Sequence, residues 1–420
     1  MKYLGLVGLL LCLEAQAVQK INLEQIDIRK IHDEEVVREG KGEAPRFAVP
    51  RDVTVAPTAE KATWEMVGDQ MVWKRRVVAK NSVSLNFAFE KFNLPEGAKI
   101  EIYASDFSSH IRPFTSADNN KAQELWTPVI MSDDVTIEVT VPAAKMDQLV
   151  LELTKINQGF RTFTQTTEKS GSCNVDVVCS EGDDWRDEIN SVAVISTGGS
   201  TFCTGFMVNN TSEDKTPYFM TANHCRVGNS RAAASLVTYW NYQASTCGGS
   251  RNGRLAEFNT GAEFLAANAA SDFTIVKLNQ APNPAWGVTY AGWDRSGDIA
   301  DMAVAIHHPA TDEKAISFEN DPTTHTRYLK EEQVEDATHV RVTDWDVGTT
   351  EPGSSGSPLF DQNHRVIGQL HGGYASCTSQ TSDWYGRIFT SWEGGGSSST
   401  RLKDHLDSAG TGALFVDTIR

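Results

Sequence analysis

The chain has 420 residues, of which 40% are hydrophobic and 22% are charged, a composition typical of globular proteins and a length that favours two domains. Its formal net charge of −17 argues against a nucleic-acid partner and is compatible with long-range attraction of basic polypeptides. Charge and composition leave the fold undecided.

The first seventeen residues have the pattern of an export signal. Met1-Lys2 give a short charged start, Leu4–Leu13 an apolar core, and Ala15-Gln16-Ala17 a small-residue cleavage site. A lipoprotein signal anchored at Cys12 is an alternative that the bulky Leu11 disfavours. No later apolar run is long enough to span a bilayer, so we expect a secreted protein that has no membrane contact after the signal is removed.

The part of the chain between the signal and residue 163 contains no cysteine and divides in two. Residues 18 to about 45 are charged and lack apolar periodicity, which predicts a partly ordered leader. From Phe47 to Phe163, apolar and polar residues alternate in short segments such as Val83–Phe89. Gly, Pro and Asp separate these segments, and this pattern predicts a β-sandwich. Three tryptophans are expected in its core rather than in a carbohydrate groove: Trp64, Trp73 and Trp126.

The remaining six cysteines all lie between residues 173 and 377. An even set in an exported chain predicts disulfides, although the sequence alone leaves their pairing open. Zinc is the rival interpretation, but no Cys-x-x-Cys pair is present. The adjacent His307 and His308 point to opposite faces of a predicted strand and cannot chelate one ion together. We therefore interpret both histidines as structural and expect neither a metal nor a cofactor.

Three motifs in this second part indicate a nucleophilic serine. His224 ends an apolar strand in Thr-Ala-Asn-His-Cys, Asp272 opens a strand in Ser-Asp-Phe, and Ser355 lies in Gly-Ser-Ser-Gly-Ser-Pro. A serine hydroxyl attacks when a base takes its proton and N–H groups receive the developing oxyanion. The N–H groups of Gly353 and Ser355 are the expected oxyanion donors. Each motif alone is better explained as a turn, a core histidine or a cap, but the three in this order favour catalysis.

The order histidine, aspartate, serine resembles that of the chymotrypsin-like serine proteases. Four further strings resemble the secreted bacterial lysyl endopeptidases: Ser172–Cys179, Thr238–Gln243, Ala303–Pro309 and Gly368–Gly373. The resemblance implies an all-β fold of two six-stranded antiparallel β-barrels, with His224 and Asp272 in the first barrel and Ser355 in the second. It also implies three disulfides: Cys173–Cys377, Cys179–Cys247 and Cys203–Cys225. A short helix is expected near residues 399–406.

A secreted protease is expected to be made as a proenzyme, because an active protease endangers the cell that exports it. Residues 18–169 carry none of the proposed catalytic residues and are interpreted as the propeptide, and residues 170–420 as the protease domain. The polar run Thr166–Ser172 is the expected boundary, and family processing after a lysine implies cleavage between Lys169 and Ser170. The expected partners are polypeptide substrates and the chain's own propeptide, and we expect a monomer.

The predicted specificity pocket departs from the trypsin pattern. Six residues before the nucleophile, where trypsin-like enzymes place an aspartate, this chain has an uncharged threonine. The string Thr381–Arg387 resembles the family's pocket segment, which implies that Asp383 meets a lysine ammonium. His371 and Gly372 fall in the pocket wall, and Gly372 is expected to pair with the substrate backbone. Tyr328 lies roughly where the family places an aromatic residue beside the pocket histidine.

Two alternatives stand beside lysine specificity. A protease specific for acidic residues carries a similar nucleophile motif, and His371 and Thr350 are candidates for its pocket. A secreted binding protein with an inert protease-like part belongs to a different class, and an intact set of catalytic residues argues against it.

Overall fold

The computed structural model describes residues 18–161, 170–249 and 251–420. The predicted export signal with Cys12 and the expected cleavage residue Lys169 lie outside these ranges. Strands dominate the described residues and form four sheets, two in the N-terminal part and two in the rest. Within the same ranges, no helix combines the length and the apolar character needed to cross a membrane.

The N-terminal part is built from two sheets that share one core, as the alternating pattern predicts. Its strands in chain order are β1 Gln19–Asn22, β2 Ala48–Val55, β3 Glu65–Val67, β4 Gln70–Val78, β5 Ser84–Asn93, β6 Lys99–Ala104, β7 His110–Thr115, β8 Leu125–Trp126, β9 Asp134–Pro142 and β10 Val150–Gly159. One sheet contains β1, β3, β4, β6, β7 and β9, and the other has the order β2-β10-β5-β8. Trp64, Trp73 and Trp126 are buried in the common core, so their assignment to the core is correct.

The prediction of a partly ordered leader over residues 18–45 is wrong. This segment contains β1, which pairs parallel with β4, and the helix α1 Ile28–Glu39. The helix buries only Ile31 and Glu35, so it lacks the broad apolar stripe that periodicity detects. It is held instead by the Glu35 carboxylate, which accepts hydrogen bonds from the backbone N–H of Arg46 at 2.8 Å and from its side chain at 2.5 Å. The partner that orders the helix therefore lies outside the helix itself.

The second part contains two larger sheets. Its strands in chain order are β11 Val175–Asp176, β12 Val192–Thr197, β13 Thr201–Met207, β14 Tyr218–Ala222, β15 Val237–Tyr239, β16 Phe258–Thr260, β17 Ala262–Asn268, β18 Phe273–Leu278, β19 Trp293–Asp294, β20 Ala303–His307, β21 Ala315–Glu319, β22 Thr324–Thr326, β23 His339–Val342, β24 Pro358–Phe360, β25 Val366–Gly373, β26 Asp383–Arg387 and β27 Phe415–Val416. Its helices are α2 Arg186–Ser191, α3 Ser230–Ala234, α4 Ile388–Glu393 and α5 Lys403–Leu406, the last within the predicted C-terminal segment.

The predominantly β fold is confirmed, but the expected six strands in each barrel are not observed. The first sheet has seven strands in the order β16-β15-β12-β13-β14-β18-β17, and the second has ten along the path β11-β21-β20-β24-β25-β26-β23-β22 with β19 and β27 attached. The additional strands include β11, β19 and β27, which are only two residues long. Such short edge pairings join distant segments and leave no local pattern in the sequence.

The two parts of the chain pack on each other through a continuous hydrophobic core. The core of the N-terminal sheets includes Phe202, Tyr239 and Phe258 from the second part. The Tyr239 hydroxyl accepts a hydrogen bond from the buried Val129 N–H at 3.1 Å across this boundary. The N-terminal part is therefore docked on the seven-stranded sheet by packing and by directed polar contacts.

We predict that Tyr239→Phe destabilises the uncleaved chain, because it leaves the buried Val129 N–H without its hydroxyl acceptor. Loss of one buried partner costs about 1–3 kcal/mol. The Ser355→Ala substitution is included to keep the chain uncleaved. Urea unfolding of this chain, with and without Tyr239→Phe, measures the difference in the free energy of unfolding. An unchanged free energy of unfolding would show that this contact contributes nothing to the docking.

Candidate active site

His224 and Asp272 meet at one end of the seven-stranded sheet. His224 follows β14 and Asp272 precedes β18, and these strands pair with Ala222 opposite Phe273. Asp272 Oδ2 lies 2.7 Å from His224 Nδ1, and Asp272 Oδ1 accepts a hydrogen bond from the His224 backbone N–H at 3.0 Å. Because the carboxylate can only accept, the imidazole carries its proton on Nδ1. Its Nε2 is then free to act as a base.

The turn that presents the carboxylate is held in an unusual backbone conformation. Asp272 has φ +53°, in the left-handed region that aspartate tolerates better than most residues, and it is 2% exposed. Its carbonyl accepts a hydrogen bond from the Asn223 N–H at 2.8 Å. The two turns that carry His224 and Asp272 therefore fix each other in position.

Three disulfides cross-link the second part of the chain. The pairs are those that the resemblance implies: Cys203–Cys225, Cys173–Cys377 and Cys179–Cys247. Their Cα atoms lie 6.1, 5.5 and 4.7 Å apart, which suits a disulfide. Cys203–Cys225 closes the turn directly after His224, and Cys173–Cys377 ties the start of the second part to the loop before β26.

Ser355 lies in the loop before β24, and this loop requires glycine on both sides. Gly353 and Gly356 have φ +104° and +83°. A Cβ on Gly353 would meet the Phe202 ring at 2.3 Å, and one on Gly356 would meet a side chain of β14 at 2.3 Å. The Ser355 carbonyl accepts a hydrogen bond from the Thr204 N–H at 2.9 Å. The loop of the serine is therefore fixed against the sheet that carries the histidine.

Ser355 and His224 line the same cleft. Among the described residues, no hydrogen bond joins the Ser355 hydroxyl to His224, and no acceptor binds the N–H groups of Gly353 and Ser355. Catalytic hydrogen bonds are often long before substrate binds and tighten in the complex. The N–H groups of Gly353 and Ser355 therefore remain the expected oxyanion donors.

Two buried histidines support the serine loop and its surroundings. His307 Nδ1 lies 2.7 Å from the Ser354 hydroxyl, and its Nε2 lies 3.1 Å from the Ser317 hydroxyl. Burial lowers the pKa of His307 to about 3, so this ring is neutral at ordinary pH. His308 Nδ1 lies 3.0 Å from the Asp312 carbonyl. Both rings thus contact other groups of the protein, and His307 contacts Ser354, the residue next to the predicted nucleophile.

The cleft also contains a buried carboxylate. Asp383 is 1% exposed, lies at the start of β26 and lines the cleft with Ser355. Its Oδ2 accepts hydrogen bonds from Trp345 Nε1 at 2.8 Å and from the Thr350 hydroxyl at 2.7 Å. Burial raises the pKa of Asp383. No basic side chain of the described ranges pairs with it, and a buried carboxylate without a cation is a costly arrangement that a cationic ligand would relieve.

His371, Tyr328 and Gly372 form one wall of the cleft. The rings of His371 and Tyr328 are stacked, with centroids 3.6 Å apart and planes 5° apart. His371 Nε2 lies 3.7 Å from Asp272 Oδ2. Burial lowers the pKa of His371 to about 4, so the ring is neutral at ordinary pH. The expected aromatic neighbour of His371 is therefore Tyr328, and Gly372 has φ +148°, which favours glycine.

Sequence reasoning missed several groups that touch the predicted site residues. Trp345 binds Asp383, and His339 lies beside His371 with Nε2 3.0 Å from its Nδ1. Thr350 was considered only for an acidic-specific pocket, whereas its hydroxyl binds Asp383. No local motif surrounds these residues: the pairing of β23 with β26 brings His339 to the site, and Trp345 and Thr350 lie in the segment between β23 and β24.

Within the ranges that the structure describes, two groups of side chains are close enough to share a metal ion. One is Cys203, His224 and Cys225, in which the disulfide occupies both sulfur atoms. The other is His224, Asp272 and His371, whose ligand atoms lie within 4.8 Å of one another. A cation in the second group would compete for the lone pairs that hold His224 in place.

A segment of the N-terminal part reaches the cleft. Glu39, Gly42, Glu43 and Pro45 line it together with Ser355. The Pro45 carbonyl accepts a hydrogen bond from the N–H of Phe202 at 3.1 Å, and the Glu43 carboxylate pairs with Arg226 at 2.9 Å. This segment therefore runs beside β13, close to the serine loop.

The chain was compared with known proteins. It matches a family model for the lysyl endopeptidase C-terminal domain over residues 167–386 and one for the lysyl endopeptidase N-terminal domain over residues 21–157. It is 31% identical over 286 residues to a lysyl endopeptidase of Pseudomonas aeruginosa, with 62% of this chain and 60% of that protein covered. The alignment thus spans about three-fifths of the length of this curated relative.

Solved structures similar to the chain include an HtrA-type protease, AlgW, with a tripeptide (18% identity, 50% of this chain and 60% of that chain, TM-score 0.34). A Glu endopeptidase in complex with MPD is another (20% identity, 47% of this chain and 85% of that chain, TM-score 0.31). The family models carry more weight, because the C-terminal-domain match alone covers 220 of the 420 residues. The protein belongs to the lysyl endopeptidase family.

Proposed function

We propose that the protein is a secreted serine endopeptidase that hydrolyses peptide bonds after lysine. The observation that carries the proposal is the buried Asp383 carboxylate, free of a basic partner among the described residues, in the cleft that holds Ser355 and His224. Family membership and the three disulfides are consistent with an exported enzyme of this class.

In the proposed reaction the Ser355 hydroxyl attacks the substrate carbonyl while His224 Nε2 takes its proton. The N–H groups of Gly353 and Ser355 receive the oxyanion of the tetrahedral intermediate. His224 then gives the proton to the leaving amine, and water attacks the acyl-enzyme by the same route. Asp272, bonded to both the ring and the backbone of His224, keeps the tautomer and stabilises the imidazolium.

Lysine selection follows from the charge of the pocket. A lysine side chain that enters the cleft brings an ammonium to Asp383, and the pair replaces a lone buried carboxylate. Trp345 and Thr350 orient the carboxylate as neutral donors, so they do not neutralise it. A neutral His371 adds no positive charge that would repel the ammonium. We expect Gly372, at the end of the wall, to pair with the substrate backbone.

An acidic-specific protease fits the same residues less well. Its pocket would have to place a substrate carboxylate beside Asp383, and two carboxylates in one buried site repel each other. The Thr350 hydroxyl, a candidate donor in that pocket, is already directed at Asp383. An inert binding protein would have no need for the two-point contact between Asp272 and His224.

We further propose that the chain is a proenzyme whose residues 18–169 are removed. The segment that includes Glu43 and Pro45 lines the cleft, which supports an inhibitory role for the N-terminal part. At the proposed new terminus, the Ser170 hydroxyl donates to Asp312 at 2.6 Å, and the Gly171 N–H donates to Glu351 at 3.0 Å. The residues after the cleavage point are therefore already anchored to the protease part.

Ser355→Ala is predicted to abolish peptidase activity without loss of the fold, because it removes the attacking oxygen and leaves only binding and the oxyanion donors. Removal of a catalytic residue of this kind leaves about 10³–10⁴-fold residual acceleration over water. Hydrolysis of a lysine peptide and circular dichroism of the same sample measure both effects. Near-normal turnover by the variant would refute the assignment of the nucleophile.

Cleavage between Lys169 and Ser170 is predicted for the active form, since family members process themselves after a lysine at this place. N-terminal sequencing of the purified active enzyme should begin at Ser170. The Ser355→Ala chain should stay uncut if processing is autocatalytic. An active protein that starts near Val18 would contradict the proenzyme assignment.

Asp383→Asn is predicted to lower kcat/KM for lysine substrates, while hydrolysis after uncharged residues changes far less. The variant buries a substrate ammonium without its counter-ion, and breaking such a pair costs about 3–5 kcal/mol. This corresponds to roughly a hundred- to several-thousand-fold in kcat/KM. The measurement is kcat/KM of the wild type and of Asp383→Asn on matched peptides that end in Lys, Arg, Glu or Leu.

The Leu peptide is the internal control for damage to the catalytic residues, and thermal unfolding is the control for damage to the fold. An equal loss on all four peptides would refute a specificity role for Asp383. A wild-type preference for Glu would support the acidic-specific alternative instead.

A further inference from the structure

A row of polar groups leads from the Asp272 carboxylate into the ten-stranded sheet. His371 Nε2 lies 3.7 Å from Asp272 Oδ2, and His371 Nδ1 lies 3.0 Å from His339 Nε2. His339 Nδ1 in turn lies 2.8 Å from the Thr338 hydroxyl. His339 is 1% exposed and lies behind His371. It has no role in the reaction proposed above.

Strand pairing explains how these groups come into line. His339 begins β23 and His371 lies on β25, and both strands pair with β26 between them. The pairing of β25 with β26 shifts register between Leu370 and Gly372. An extra residue at such a bulge is re-aimed relative to its strand. His371 is that residue, so its ring can reach both His339 and Asp272.

The Asp272 carboxylate at one end of the row indicates which nitrogen of each imidazole carries the proton. Asp272 is a pure acceptor, so the facing Nε2 of His371 should carry the proton, which leaves Nδ1 of this neutral ring as an acceptor. His339 must then donate from Nε2 and accept at Nδ1, and the Thr338 hydroxyl donates to it. With both rings neutral, this arrangement gives each of the two hydrogen bonds one donor and one acceptor, and it turns the His371 N–H rather than a lone pair toward the Asp272 carboxylate, 3.7 Å away. Burial supports neutrality, because it lowers the pKa of His371 to about 4 and that of His339 to about 3.

We propose that Thr338 and His339 are positioning residues that fix the tautomer of His371, so that a neutral imidazole turns its N–H toward Asp272. The inference rests on the proposed peptidase function for its consequence, but the tautomer itself is a property of the resting protein. Neither residue touches the substrate or the reacting atoms.

The charges around His371 show why its state matters. Asp272 favours a protonated ring and His224 disfavours it, Tyr328 covers one face, and Asp383 lies in the same cleft. Glu39, Glu43 and Glu351 also line this cleft, the first two from the N-terminal part. A cationic His371 would compete with His224 for Asp272 and would repel the substrate ammonium. The row opposes this state because the lone pair of His371 Nδ1 already accepts a hydrogen bond from His339 Nε2.

Thr338→Val tests the direction of the row with little change of shape. Without the hydroxyl, His339 is free to carry its proton on Nδ1 and to accept at Nε2. His371 can then hold protons on both nitrogens, one toward Asp272 and one toward His339. We expect the acid limb of the kcat/KM profile on a lysine peptide to move up by about one pH unit. Thr338→Ser, which keeps the hydroxyl and loses the methyl group, should keep the wild-type profile.

Nitrogen NMR of ¹⁵N-histidine-labelled protein reads the tautomer without any turnover. The His371 signals, assigned with His371→Gln, should show the Nε2–H form in the wild type and a second protonated nitrogen at higher pH in Thr338→Val. The double variant Thr338→Val/His339→Gln should restore the wild-type behaviour, because a glutamine amide donates to His371 without help from residue 338.

The outcomes separate this proposal from the proposed function. Equal acid limbs and equal His371 tautomers in the wild type, Thr338→Val and Thr338→Ser would overturn the proposal, and so would an equal shift in both variants. If Thr338→Val fails to fold, His339→Gln against His339→Leu gives the same comparison, with a shift expected only for leucine. The expected tautomers in a protein without lysyl peptidase activity would refute the proposed function alone.

Discussion

The site depends on one buried carboxylate that is shared by two imidazoles. Asp272 binds the ring and the backbone of His224, and the same Oδ2 lies 3.7 Å from His371. A carboxylate that is 2% exposed needs such partners, because burial of an unpaired charge is costly. The left-handed turn at Asp272 and the disulfide after His224 bring these partners together. The serine loop is added from the other sheet through the contact between Ser355 and Thr204.

A second buried carboxylate, Asp383, differs from Asp272 in its neighbours. Asp383 receives hydrogen bonds from two neutral donors and has no basic partner in the described part of the chain. In the proposed mechanism, His224 satisfies Asp272 with two hydrogen bonds in the resting protein, whereas the cation that pairs with Asp383 comes with the substrate. The same residue type thus serves catalysis in one environment and recognition in the other, as the different neighbours require.

The parts of the site that could be predicted from the sequence are those formed by residues close together in the chain. The glycines around Ser355 mark a loop that only glycine can form, and the cysteine after His224 marks a closed turn. The row from Asp272 through His371 to His339 joins residues that are far apart in the chain, so a single sequence gives no sign of it. The same limit explains the missed helix α1, whose stabilising ion pair is made with Arg46 beyond the end of the helix. It also explains the two-residue strands β11, β19 and β27, which enlarge the ten-stranded sheet.

The most direct test of the account is covalent labelling of the active enzyme with two matched phosphonates, one with a lysine side chain and one with norleucine, which has the same chain without the ammonium. We predict that the lysine phosphonate modifies Ser355 alone, as mass spectrometry of the digested protein would show. We also predict that it reacts at least about a hundredfold faster than the norleucine compound, the lower bound expected for loss of a buried ion pair. Equal rates for the two compounds, or labelling at a residue other than Ser355, would contradict the account.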